Sequence, residues 1–154
     1  MPPTGTGNTH PGYFPRLAEE RPDIALCRAS TVVARSAELR ANELGLGVGP
    51  HLVLKMLAAV GPCSQRVLSD ELRIDRSVMV GICDSLESAD LVRRERTPGD
   101  RRAYAVTLTD SGRRRLTEAE ETVPAFLDTT FQALTPAERT QLSGLLGKLL
   151  AVHT

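Results

Sequence analysis

The sequence has no tryptophan and only five other aromatic residues, three Phe and two Tyr. So few rings exclude a base-stacking platform of the kind that binds single-stranded nucleic acid. Cysteine is limited to Cys27, Cys63 and Cys83. An odd, widely spaced set without a CxxC pair argues against a disulfide framework, and three scattered histidines give zinc no ligand cluster. No apolar run reaches the roughly 18 residues of a membrane-crossing helix. The N-terminal stretch MPPTGTGNTHPGYFPRLAEE lacks the basic-then-apolar order of a secretory signal. These absences lead to the expectation of a cytoplasmic protein with no membrane partner. No Ser–His–Asp or Cys–His spacing and no phosphate loop is present, so neither an enzyme nor a bound cofactor is expected.

What remains is an ordinary globular composition: 154 residues, 41% hydrophobic and 25% charged. That length suits one domain with a modest core. Net charge is zero, but it is unevenly spread. Between Arg93 and Arg115 stand eight arginines (93, 94, 96, 101, 102, 113, 114 and 115) against Glu95, Asp100 and Asp110, a surplus of five positive charges. The rest of the chain is acidic by the same amount. A basic segment on an acidic body is the footprint of a polyanion contact. Of the 19 basic residues 17 are Arg, whose guanidinium grips phosphate bidentately and fits a narrow groove.

Residues 1–18 hold Pro2, Pro3, Pro11 and Pro15 among Gly and Thr, which predicts an extended or disordered arm. A helix is expected from about Arg21–Pro22–Asp23 to Glu43, with Leu26, Ala29, Val33 and Ala37 on one face. Gly45, Gly47 and Gly49 end it, and Pro50 suits the first turn of a second helix carrying Val53, Met56, Leu57 and Val60. Ser64 can cap a short third helix with Val67, Leu68 and Leu72 inside. A fourth begins at Asp75 or Arg76, with Val78, Ile82 and Leu86 as its expected buried stripe and Met79 and Cys83 at the edge. The third and fourth helices, joined tightly at Arg73–Ile74, form a helix-turn-helix candidate. Leu91–Arg96 and Arg102–Leu108 read as strands, and Thr97–Pro98–Gly99–Asp100 between them as a type II turn. Helix returns at Thr109 or Asp110 and runs to about Thr130, with Pro124 dividing it. Thr135–Pro136–Ala137–Glu138 is a capping box, followed by a stripe of Leu142, Leu145, Leu146, Leu149 and Leu150.

A helix-turn-helix followed at once by a basic hairpin is a winged helix-turn-helix. The stretch LRIDRSVMVGICDSLESADLVRRERTPGDRRAYAVTLTDSGRRRL resembles the recognition helix, wing and following helix of the MarR family of bacterial transcription regulators. The resemblance is most specific from Asp100–Arg101–Arg102 into Val106–Thr107–Leu108–Thr109–Asp110–Ser111–Gly112, and it extends over about residues 20–152. It implies a mainly α fold with a small β-hairpin wing: a domain over 19–154, its winged helix-turn-helix at about 49–110, and dimerisation helices at about 20–44 and 110–152. It also implies a homodimer that sets two recognition helices about 34 Å apart on a palindromic double-stranded operator.

The expected DNA contacts are Arg76, Ser77 and Val80 on the fourth helix, and Arg94, Arg96, Arg101 and Arg102 on the wing. Arginines near the tip enter a narrow minor groove, and Val80 can touch a thymine methyl. By the resemblance, Asp100 orients a wing arginine. Family members commonly carry polar or basic residues where Val80, Gly81 and Ser85 stand here, and Gly81 costs its helix about 1 kcal/mol relative to Ala. Two readings follow: a dimeric repressor leaning on wing and shape, or a winged-helix sensing or interaction module without operator reading. Two control inputs are implied. One is a small anionic aromatic effector, for which Arg28, Arg35 and His51 are the polar candidates. The other is oxidation at Cys63, just before a helix N-terminus that can lower a thiol pKa.

Overall fold

The computed structural model describes residues 13–152. The chain divides into two compact units, Met1–Ala37 and Glu38–Thr154. The first holds α1 (Tyr13–Glu20) and the start of α2 (Pro22–Leu44). Residues 13–18 are thus helical rather than extended, a correction to the expected arm. Pro15 lies in the first turn of α1, where its missing N–H has no intrahelical partner to lose. The arm's residues 1–12 lie outside the described ones. Pro22 opens α2, and Arg21 pairs with Asp23 at 2.8 Å beside it.

The second unit continues with α3 (Val48–Val60), α4 (Gln65–Leu72), α5 (Arg76–Ser88), β1 (Val92–Thr97), β2 (Asp100–Leu108), α6 (Asp110–Glu121), α7 (Val123–Thr130) and α8 (Pro136–Val152). Its core joins Val53, Leu54 and Leu57 of α3 to Leu68 of α4, Met79, Cys83 and Leu86 of α5, Val92 of β1, Val106 and Leu108 of β2, and Ala119 of α6. Helices α3, α4 and α5 and the hairpin, packed on one apolar centre that α6 completes, make this a winged-helix fold.

Local chemistry sets the element ends. Ser64 caps α4 by accepting from the Val67 amide at 3.2 Å, and Thr109 caps α6 by accepting from Gly112 at 2.9 Å. The capping box ahead of α8 closes in both directions: Thr135 N donates to Glu138 Oε2 at 2.8 Å, and Glu138 N to Thr135 Oγ1 at 3.3 Å. Thr122 and Pro124 part α6 from α7, as the proline predicts. The helix-turn-helix connection reverses at Arg73, whose φ of 53° is left-handed without a glycine.

β1 and β2 pair antiparallel from Val92↔Leu108 to Arg96↔Tyr104, and Gly99 at φ +88° turns the hairpin. A short third rung forms between Cys63 and Val106: the Val106 amide donates to the Cys63 carbonyl at 2.8 Å. The wing is therefore pinned at its base to the residues that precede α4.

One expected face is rotated. Met79, Cys83 and Leu86 are the buried stripe of α5, while Val78 is 53% exposed and Ile82 only half-buried. Both stripes have helical spacing, and α5 is apolar on two adjacent sides, so periodicity alone does not choose between them. The core takes the Met79 side. Val78 and Ile82 instead line a groove with Val48, Leu52 and Ile74.

Candidate nucleic-acid interface

α5 and the hairpin together present the basic face. Arg76 and Ser77 occupy the first turn of α5, and both are exposed, as are Val80, Gly81 and Asp84. Amide groups of a helix's first turn lack intrahelical acceptors and can meet a phosphate. The fourth-helix residues expected to face DNA therefore share one solvent-facing surface.

On the wing the strand pleat sorts the arginines. Val92, Arg94 and Arg96 lie on one side of β1, and Arg93 and Glu95 on the other. Arg93 is 62% exposed and sits 3.8 Å from Glu95. Arg96 stacks over Tyr104 at 5.4 Å from the ring centroid, which holds its stem along the hairpin while it stays exposed. Arg102 is exposed, and its amide donates to Asp100 Oδ1 at 2.9 Å. Asp100 thus shapes the tip through the backbone of Arg102. The Arg101 side chain lies outside the described ones.

Arg94 corrects the sequence reading. It is not an outward-reaching wing residue but a half-buried hub. Its Nη1 donates to Glu87 Oε2 at 2.5 Å, its Nη2 to Asp84 Oδ1 at 2.5 Å, and its Nε to Gln65 Oε1 at 2.8 Å. Its own amide donates to Glu87 Oε1 at 3.0 Å. That amide, and then the guanidinium, hold the Glu87 carboxyl below the ordinary glutamate range. The missed signal was the period-two spacing from Val92, which turns Arg94 towards α5.

The basic run at the start of α6 also divides. Arg113 and Arg114 face solvent, Arg114 donating to Ser111 Oγ at 3.1 Å. Arg115 donates to the Leu44 carbonyl and so binds the end of α2. A cation that sequence reading passed over has a related task. Arg40 donates to the Ala119 carbonyl at 2.8 Å and to Thr122 Oγ1, and lies 5.2 Å over the Phe126 ring. It satisfies the carbonyl end of α6 where the helix breaks.

The expected effector residues fall in different units. Arg28 and Arg35 are exposed on the first-unit part of α2. His51 is turned to Glu120, with Nε2 2.6 Å from Oε1, while Lys55 Nζ takes the other oxygen at 2.6 Å. His51 is therefore part of an α3–α6 link and does not line the groove beside Val78. That groove encloses about 520 Å³, and its polar lining residues include Glu38 and Asn42.

The premise for a redox Cys63 is reversed as well. Burial pushes its thiol up, away from the lowered value that a reactive thiol needs. Burial likewise raises Cys83, which is wholly enclosed in the core. Cys27 is exposed on α2.

A helix-turn-helix whose second helix stands exposed beside an arginine-bearing hairpin defines the winged helix-turn-helix class. The sequence profile of the MarR family matches residues 44–103. A protein of Thauera aromatica named for transcriptional regulation of the hcr operon is 37% identical over 106 residues, 67% of this chain and 63% of that protein. The HTH-type transcriptional repressor NicR of Pseudomonas putida is 31% identical over 90 residues, 58% of this chain and 57% of that protein. The chain thus spans less than two thirds of each of these two relatives. Among solved structures, BpsR of Bordetella bronchiseptica, described for regulation of its DNA binding by 6-hydroxynicotinic acid, superposes with a TM-score of 0.75. It is 28% identical, with 86% of this chain and 94% of that chain covered. The chain is thus similar to the MarR family, over residues 44–103 by sequence and over most of its length by fold. These matched relatives are regulators rather than enzymes. No single helix among the described residues is long and apolar enough to cross a membrane.

Proposed function

We propose that this protein is a cytoplasmic, dimeric, sequence-specific DNA-binding repressor whose hold on its operator is loosened by a small aromatic ligand. The observation that carries the reading is the pairing of an exposed α5 N-terminus, with Arg76 and Ser77, and a hairpin exposing Arg93, Arg96 and Arg102. Arginines on phosphates supply affinity and register, while Ser77 and Val80 read base edges. Arg101 shares the tip and the same role. The domain boundaries follow: a winged helix-turn-helix over about 49–110, with dimerisation helices at about 20–44 and 110–152.

Dimerisation is supported by apolar side chains left in water. Leu145, Leu149 and Leu150 of α8 are 50–60% exposed, and α8 contributes no buried residue. Leu26 and Val32 on α2 are 44% and 68% exposed. Burying such faces between two copies gains roughly 25 cal/mol per Å² of apolar surface. The effector reading is supported by the ligand named for BpsR. Arg28 and Arg35 supply cations for an aromatic carboxylate.

The test is binding of a palindromic fragment from the protein's own upstream region across a salt series. The expected plot of log K against log salt falls steeply, each neutralised phosphate contributing about −0.9 to the slope. A flat plot overturns the repressor. Equal affinity for a scrambled fragment favours the sensing module, in line with a recognition helix carrying Gly81 and Asp84. Thermal shift with 6-hydroxynicotinic acid and phenolic acids checks the effector, and no stabilisation by any of them removes it.

A further inference from the structure

We propose that Arg94 is a positioning residue for DNA binding: it braces the wing against the recognition helix and screens two carboxylates from the duplex. This rests on the DNA-binding reading above. α5 is the helix that would enter the groove, yet Asp84 and Glu87 lie along it, and Asp84 is 59% exposed. A carboxylate facing a duplex meets its phosphates and pays for like-charge proximity. Arg94 joins both, through separate guanidinium nitrogens at 2.5 Å.

The geometry makes the joint rigid and cuts its net charge from two negatives to one. Glu87 is gripped at both oxygens, Oε1 by the Arg94 amide and Oε2 by its guanidinium. A side-chain hinge at either residue is thereby removed. The third guanidinium nitrogen, Nε, reaches Gln65 in the first turn of α4. One residue on β1 therefore ties the wing to both helices of the helix-turn-helix. The Arg94 side chain is only 23% exposed, and its three guanidinium nitrogens are engaged. Such a group has little left to offer a phosphate. Arg93, Arg96 and Arg102 carry that contact, while Arg94 fixes the angle at which they and α5 meet DNA together.

The test compares Arg94→Met, the pair Asp84→Asn with Glu87→Gln, and all three changes combined. Affinity and salt slope are read on the upstream fragment, and amide exchange over residues 92–97 on the protein alone. Arg94→Met is expected to weaken binding about tenfold by leaving two carboxylates opposed to the phosphates, with the salt slope unchanged. It also speeds exchange along β1. The triple variant regains most of the affinity, because the charges that needed screening are gone. A phosphate contact would give the opposite pattern: a slope shallower by about 0.9 and no recovery in the triple variant. That result, or full affinity and unchanged exchange in Arg94→Met, overturns the proposal. If the wild-type chain binds no duplex, the functional reading and the screening role both fall, and unchanged exchange in Arg94→Met then overturns the brace.

Discussion

The Cα of Gly112 faces the backbone carbonyl of Leu91 so closely that a Cβ there would lie 2.1 Å from the oxygen and 2.6 Å from Leu108 Cδ1. Gly112 is buried in the first turn of α6, where the wing returns into the helix. The obstacle is backbone, so no rotamer change relieves it. Gly112→Ala is expected to destabilise the domain by about 3 kcal/mol, the upper end of ordinary overpacking. Urea unfolding measures it, and a loss below about 0.5 kcal/mol, the scale of surface substitutions, contradicts the close approach.

Arg102 tests the wing differently. Its side chain is exposed, whereas its amide is the part bound to Asp100. Arg102→Ala therefore leaves the hairpin folded and removes one cation. The expected result is weaker binding to every duplex sequence and a salt slope shallower by about 0.9. An unchanged slope would mean that Arg102 meets no phosphate.

The link from α3 to α6 carries a pH dependence. Hydrogen bonds from Lys55 and then His51 hold the Glu120 carboxyl below the ordinary glutamate range. Its folded value is depressed, so its contribution to stability is complete above the unfolded value and lost as pH falls through the folded one. Glu120→Gln removes that contribution. The stability difference between wild type and Glu120→Gln should shrink from about pH 6 to about pH 3, across the ordinary glutamate range. A difference that stays constant over that span shows that the ionised carboxylate is not what the link uses.

Cys63 should react slowly. Burial raises its pKa, which lowers the thiolate fraction at neutral pH. Iodoacetamide should alkylate it more slowly than free cysteine at about pH 7.5, with the rate rising towards alkaline pH. Reaction as fast as the free amino acid refutes this. Any peroxide effect on DNA binding should persist in Cys63→Ser.

Short-range chemistry made much of this protein legible without coordinates. The Thr97–Pro98–Gly99–Asp100 turn, the Thr135–Glu138 box, the Ser64 and Thr109 caps and the break at Pro124 each depend on neighbours within a few residues. Their outcome is written in residue order, and with it the helix, hairpin and helix succession. The spacing from Leu72 to Leu116 carried the family likeness for the same reason.

Burial and pairing were another matter, because they depend on what other elements supply. The chain order shows that α5 is apolar on two sides, but only packing against Leu57, Leu68 and Val92 selects Met79 over Val78 for the core. It places Arg94 in an arginine-rich hairpin, but only the approach of β1 to α5 turns that cation inward onto Asp84 and Glu87. It puts Cys63 ahead of a helix, but only the neighbouring strand and core bury its thiol. Dihedral preferences and caps act over a turn of chain. Desolvation and ion pairing act across space, and the tertiary structure alone sets those distances.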